Sequence, residues 1–228
     1  MFGGARITKG ALYLLFASAG LSLIFLLSEQ SIRLELFRWF AATGDSIWRE
    51  FKLWQLITSA LLEVDFVSLL FQGFMLWMFM PALERWWGTR RFLLFAGYTS
   101  VAGILVGTLV GYSIGSPMPV AGLDSFIFGG IVAYGVLFSN QQVQFFGVLP
   151  MTGKQLTIGM CAFVGLFVII GQQWVEGAAW TSSMLLALIL THDKLSPRLM
   201  WLKHKQKKVR RHLRLVKDQE EDPKKWMN

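Results

Sequence analysis

Apolar runs of about 20 residues recur along this chain, and ~30 Å of hydrocarbon needs about that much helix to cross it. The first run, Ala11–Leu27, follows Arg6 and Lys9 and matches the apolar segment of a secretory signal in length. No small-residue cleavage site leads from it into a polar mature chain, and further runs follow instead. It therefore reads as an uncleaved first helix. Five more spans are expected, at Phe66–Leu83, Phe92–Tyr112, Ser125–Phe138, Leu156–Ile170 and Gly177–Leu190. The expected fold class is all-α, a polytopic membrane protein with six transmembrane helices. The fourth and sixth spans are short for a full crossing. Pro117 and Pro119 break the chain before the fourth span, and Pro150 precedes the fifth.

Composition supports the same class. Of 228 residues, 54% are hydrophobic and only 16% charged, against about 25% charged in an ordinary soluble domain. One soluble core of this size cannot hide that much apolar surface. A soluble enzyme, a disordered chain and a disulfide scaffold are excluded. The single cysteine, Cys161, lies in an apolar stretch, where it reads as a small membrane-helix hydrophobe. No metal set and no cofactor is expected.

Residues 28–60 make no clean span. Ser31–Trp39 and Ile47–Leu56 mix aromatics with Arg33, Glu35, Arg38, Arg49, Glu50 and Lys52, which suits segments lying in the membrane interface. Charge then sets the topology. From His192 onward the chain carries twelve Lys/Arg against five Asp/Glu, while residues 1–191 hold ten basic and nine acidic residues. With six spans, eighteen basic residues share the side of the two termini, against four on the other. The positive-inside rule predicts both termini in the cytoplasm. The expected organisation is a short cytoplasmic N-terminus (1–10), a membrane domain (11–191) and a basic cytoplasmic tail (192–228). In the tail, Lys203, Lys205, Lys207, Lys208, Arg210 and Arg211 are expected to dock on anionic lipid or an acidic partner. A specific nucleic-acid-binding body is not expected, because the excess charge belongs to the tail.

Two sequence motifs carry a resemblance. Leu83-Glu84-Arg85-Trp86-Trp87-Gly88-Thr89-Arg90-Arg91-Phe92 is similar to the end of the second helix in the rhomboid superfamily, where Glu-Arg-x-x-Gly-x-x-Arg-Phe leads into the third. Gly122 through Gly147 resembles the fourth helix of rhomboid proteases, through Gly122, Phe128, Gly129, Ala133, Tyr134, Leu137, Phe138, Asn140 and Gly147. Ala179–Ala187 is a weaker match to the sixth, and Trp48-Arg49 to a pair in the family's first loop. The resemblance implies a rhomboid-like fold over about residues 54–190.

It also implies where chemistry would sit. Rhomboid proteases use a Ser–His dyad, which needs a base within reach of the nucleophile and donors for the oxyanion. On this sequence the nucleophile position is Asp124, with Ser125 after it, and the base position is Trp180. The oxyanion-supporting pair of the second helix becomes Ser68 and Gln72. All three histidines, His192, His204 and His212, lie at or beyond the end of the last span. The expectation is a protein that is not an enzyme, resembling the rhomboid pseudoproteases such as derlins and inactive rhomboids.

That group holds, recognises or moves transmembrane clients, often in protein quality control beside a membrane protease or an ATP-driven extractor. Asp124, Ser125, Ser68, Gln72 and Trp180 are the candidate client-binding residues. Asp124 carries two readings, an N-cap of the fourth helix or a client contact. Glu84, Gly88, Gly129, Ser183 and Ala187 are expected to be structural, with Gly129, Gly130 and Ala133 offering a flat surface to Ser183 and Ala187. The competing expectations are a fixed accessory subunit of a membrane protease or translocation complex docked through the tail, a serine hydrolase using Ser125, and a small transporter. The membrane expected is a bacterial inner one.

Overall fold

The computed structural model describes residues 7–139, 142–145 and 149–191. The tail and its basic residues Lys203, Lys205, Lys207, Lys208, Arg210 and Arg211 lie outside the described residues, as do Asn140 and Gly147. The chain divides into two units, residues 1–188 and 189–228, and the first holds every element below except the last turn of the final helix.

Helices α1 (Lys9–Leu27), α7 (Thr89–Ser113), α9 (Gly153–Gly171) and α10 (Trp174–Thr191) are each long and apolar enough to cross a membrane. A fifth crossing is reached if α4 (Gln55–Leu61) and α5 (Phe66–Met78), bent by 88° at their junction, count as one span. Helix α8 (Asp124–Leu137) is apolar but only 14 residues long. Among the described residues the fold is all-helical apart from one short antiparallel strand pair, β1 (Gln142–Phe145) with β2 (Leu149–Thr152), which leads into α9.

The second expected span, Phe66–Leu83, is not continuous. Helix α5 ends at Met78 and α6 (Met80–Trp87) begins after Phe79. Pro81 is the cause, because its ring removes the N–H that the Trp77 carbonyl would receive and crowds that carbonyl. The helix pair then ends at Gly88, whose φ of +80° suits glycine and turns the chain into α7.

The first loop also differs in detail from its two expected segments. Helix α2 (Gln30–Phe40) buries no residue, which suits an interfacial helix. The second segment splits into α3 (Gly44–Trp48), opened by a capping box between Thr43 and Ser46, and the start of α4. Gln55 donates to the Arg38 carbonyl at 2.8 Å, and the Trp39 and Trp54 rings stack at 6.1 Å. Ser59, fully buried, ties this loop to the segment before α8. Its hydroxyl accepts from the Ala42 N–H at 3.1 Å and donates to the Val120 carbonyl, and its own carbonyl accepts from the Gly122 N–H at 2.9 Å. Ser59→Ala should lower stability by about 1–3 kcal/mol by orphaning the buried Ala42 N–H. Detergent-titrated unfolding of the purified protein measures this, and an unchanged midpoint would refute it.

At the centre lies α8, buried from Ser125 through Ala133 without a gap. A helix apolar on every face must be surrounded by protein or lipid, and here protein surrounds it. Gly129 approaches Ser183 and Ala187 of α10 closely, since a Cβ on Gly129 would fall a tight 3.3 Å from the Ser183 carbonyl and 3.4 Å from the Ala187 Cβ. Gly130 does not share that contact. It faces α6 instead, where a Cβ would fall 2.6 Å from the Met80 terminal methyl. Successive residues on a helix point about 100° apart, so one of the two glycines had to leave the α10 interface. Helix α9 is the opposite case, with only Gly153, Leu156 and Val164 buried and its apolar residues turned outward.

Candidate functional site

Two of the buried carboxyl groups, Glu84 and Glu63, centre hydrogen-bonded clusters, one near each end of α1. The first centres on Glu84, 4% exposed, late in α6. Its carboxylate accepts from the Thr8 hydroxyl at 2.5 Å, the Gly10 N–H at 2.8 Å, the Ala11 N–H at 2.9 Å and the Thr89 hydroxyl at 2.7 Å. The first turn of α1 has N–H groups without helical partners, and Glu84 supplies their acceptor from another helix.

The second place is built around Gln72. Its side-chain amide nitrogen donates to the Glu63 carboxylate and, at 3.4 Å, to the Asp124 carboxylate. Glu63 sits in the bend between α4 and α5, and its N–H donates to the Ser22 hydroxyl of α1 at 2.8 Å. Its own carboxylate also accepts from the Val64 N–H at 3.0 Å. Gly122, with φ +85°, packs its backbone directly on the pair; a Cβ there would stand 2.4 Å from Glu63 Oε2 and 2.6 Å from Gln72 Nε2. Asp124 further feels the charges of Glu63 and Glu176, the latter in the first turn of α10.

Two of the sequence-derived positions thus come together, Gln72 and Asp124, while the others separate. Ser68 serves the start of α5, where its N–H donates to Asp65 at 2.8 Å and, with its hydroxyl, holds the Asp65 carboxyl below its ordinary range. Trp180 fills an aromatic wedge, its ring centroid 5.0 Å from Phe128 and 5.7 Å from Phe167. Ser125 is buried against α7, so close that a Cβ on Gly103 would stand 2.3 Å from its Oγ. On α10 the hydroxyls of Thr181, Ser182 and Ser183 all donate to carbonyls of their own helix.

The N-cap reading of Asp124 is corrected. Leu123 is the N-cap of α8 and makes no side-chain cap bond, and Asp124 is the first helical residue. The turn at Gly122 delivers the chain one residue early, which frees the Asp124 carboxylate to meet Gln72. Its position in the first turn still favours negative charge through the helix dipole.

Glu63 was not legible as a site residue. The only signal was two acids, Glu63 and Asp65, beside the start of an apolar run. Among the described residues no group of three or more His, Cys, Asp or Glu could hold a metal ion.

Residues 9–191 match the profile of a family described as eukaryotic integral membrane protein (DUF1751). Over 94 residues the chain is 35% identical to the candidate rhomboid protease YdcA of Bacillus subtilis (strain 168), covering 40% of this chain and 45% of that protein. Over 106 residues it is 32% identical to the rhomboid protease GluP of the same strain, covering 46% of this chain and 20% of that protein. The chain spans less than half the length of either relative.

Proposed function

The chain belongs to the integral membrane protein family DUF1751, and from that premise we propose a non-catalytic, rhomboid-like protein that binds transmembrane segments of client or partner proteins. The observation that carries the reading is the pair of residues at the dyad positions. Asp124 meets an amide and faces two further acids, and Trp180 is wedged between phenyl rings. Neither is a nucleophile–base partner for the other. Ser125, the remaining hydroxyl nearby, is pressed against Gly103, and every histidine of the chain lies at or after residue 192.

What such a body retains is packing and a buried polar cluster inside an apolar shell. Those are the means by which helices are recognised in lipid, through close approach and interhelical hydrogen bonds. Cytoplasmic termini are part of the same proposal, on the strength of the Lys/Arg distribution. A role in protein quality control in a bacterial inner membrane goes with it, supported by the Bacillus relatives, against a family description that is eukaryotic.

The catalytic half of the proposal is tested by a serine-reactive phosphonate on the full chain in proteoliposomes, beside an active rhomboid protease. No labelling of this protein is expected. Labelling that disappears in Ser125→Ala would overturn the non-catalytic reading. Mass spectrometry after mild-detergent purification separates a client binder, with many substoichiometric partners, from an accessory subunit with one equimolar partner.

A further inference from the structure

We propose that Arg90 and Arg91, at the start of α7, hold the phosphate of an anionic phospholipid whose acyl chains lie along the outer face of that helix. The inference stands apart from the client-binding reading. Its ground is a difference between two sets of cations. In the first loop every basic side chain is answered by the protein itself. Arg38 pairs with Glu35 at 3.8 Å, Arg49 with Asp45 at 3.4 Å and Lys52 with Glu50 at 2.5 Å. Arg33 donates to the Leu26 and Ser28 carbonyls at 2.8 and 3.2 Å. Arg90 and Arg91 are exposed, and neither has an ion pair or a side-chain hydrogen bond among the described residues. The acid closest in sequence, Glu84, is committed elsewhere, because it already receives four donors, one of them the Thr89 hydroxyl next to Arg90.

The place of the two arginines makes the lack of a partner costly. The first turn of α7 has no acidic residue and no side-chain cap, so two positive charges stand at the positive end of a 25-residue helix. The helix dipole disfavours cations there and favours an anion brought to the same end. Depth selects the kind of anion. Helices α1 and α7 are both long and apolar enough to cross a membrane, and both begin at the hydrogen bonds of Glu84. Arg90 and Arg91 therefore stand where hydrocarbon gives way to headgroups. Their guanidinium groups offer phosphate oxygens paired donors in a fixed plane.

The surface beneath them decides between a lipid and a free phosphate. Arg91, Leu94, Tyr98 and Leu105 follow one another at spacings of three, four and seven residues, which puts them on one side of α7. Leu94, Tyr98 and Leu105 are 49%, 60% and 38% exposed. Gly97, seven residues after Arg90, lies beside them, and a Cβ there would meet nothing within 4 Å. An apolar track with a gap at Gly97 thus leads from two unpaired arginines into the hydrocarbon. A phospholipid with a net negative headgroup meets both parts, whereas a free phosphate leaves the track bare.

The test titrates the purified full chain with phosphatidylglycerol and with phosphatidylcholine of the same acyl chains, and reads bound lipid by native mass spectrometry. The first phosphatidylglycerol should bind about ten-fold more tightly than the first phosphatidylcholine. In the Arg90→Gln, Arg91→Gln double variant the ratio should fall to within about two-fold, with phosphatidylcholine binding unchanged. Replacing Lys203, Lys205, Lys207, Lys208, Arg210 and Arg211 by Gln should leave the first tight site in place. Equal affinity of the native chain for the two lipids overturns the inference, and that comparison needs no variant to fold. A preference kept by the double variant and lost with the tail residues overturns it too, and assigns the lipid to the tail. Glycerol phosphate that displaces phosphatidylglycerol at equal concentration overturns the lipid in favour of a soluble phosphate.

Discussion

Glu84→Ala should lower the stability of the membrane domain by about 3–4 kcal/mol, because hydrogen bonds to a charged acceptor are each worth about 1.5–3 kcal/mol and several are lost together. The donors are the Thr8 and Thr89 hydroxyls and the Gly10 and Ala11 N–H groups. The first helix would then have to find water for its opening turn, and the junction of α6 with α7 would lose its tie to it. Glu84→Gln keeps the volume but turns an NH₂ group toward donors, so it should recover less than half of the loss. Thr89→Val removes one bond and should cost about 1 kcal/mol. Unfolding midpoints in a graded detergent titration rank the three. If Glu84→Ala falls within about 1 kcal/mol of the native chain, Glu84 does not anchor α1.

Gly122→Ala should be of similar size, at about 3–4 kcal/mol, by a different route. An L side chain at φ +85° costs of order 1–2 kcal/mol by itself. The new Cβ would also meet Glu63 Oε2 at 2.4 Å and Gln72 Nε2 at 2.6 Å, so the buried pair must move apart. Separating a buried carboxylate from its amide leaves both unsatisfied, which costs further kilocalories. The same titration measures the loss. A useful contrast is Gly20→Ala, where a Cβ meets nothing within 4 Å and little change is expected. Equal midpoints for the two alanine variants would rule out the crowding described at Gly122.

The sequence made the apolar helices legible because apolarity is a local property, a count of apolar residues in a row. Four of them, or five with the bent α4–α5 pair, are long enough to cross, where six spans were expected. Each expected apolar run corresponds to helix, and the small-residue contact of Gly129 with Ser183 and Ala187 follows from motif spacing. What escaped depends on partners far apart in the chain. Glu63 reads as one acid in a short loop until Ser22, 41 residues earlier, and Gln72 and Asp124 are brought to it. The break at Phe79 was present in the sequence as Pro81, but a proline in an apolar run does not say by itself whether the helix stops. The start of α8 shifted by one residue because the turn at Gly122 is set by the packing of its neighbours, not by which residue could cap.

The enclosure of α8 has a consequence for how the protein is made. A helix of 14 residues is about 21 Å long, shorter than the hydrocarbon it would have to cross alone. It leaves the ribosome before α9 and α10, the last of which supplies Ser183 and Ala187 against Gly129. Until α10 follows, α8 can rest its opening residues on α5 and α7 and Gly130 on α6, but its Gly129 side is uncovered. The enclosure of α8 is therefore completed late, and synthesis must run to residue 187 before the Gly129 side of the centre has its packing partners.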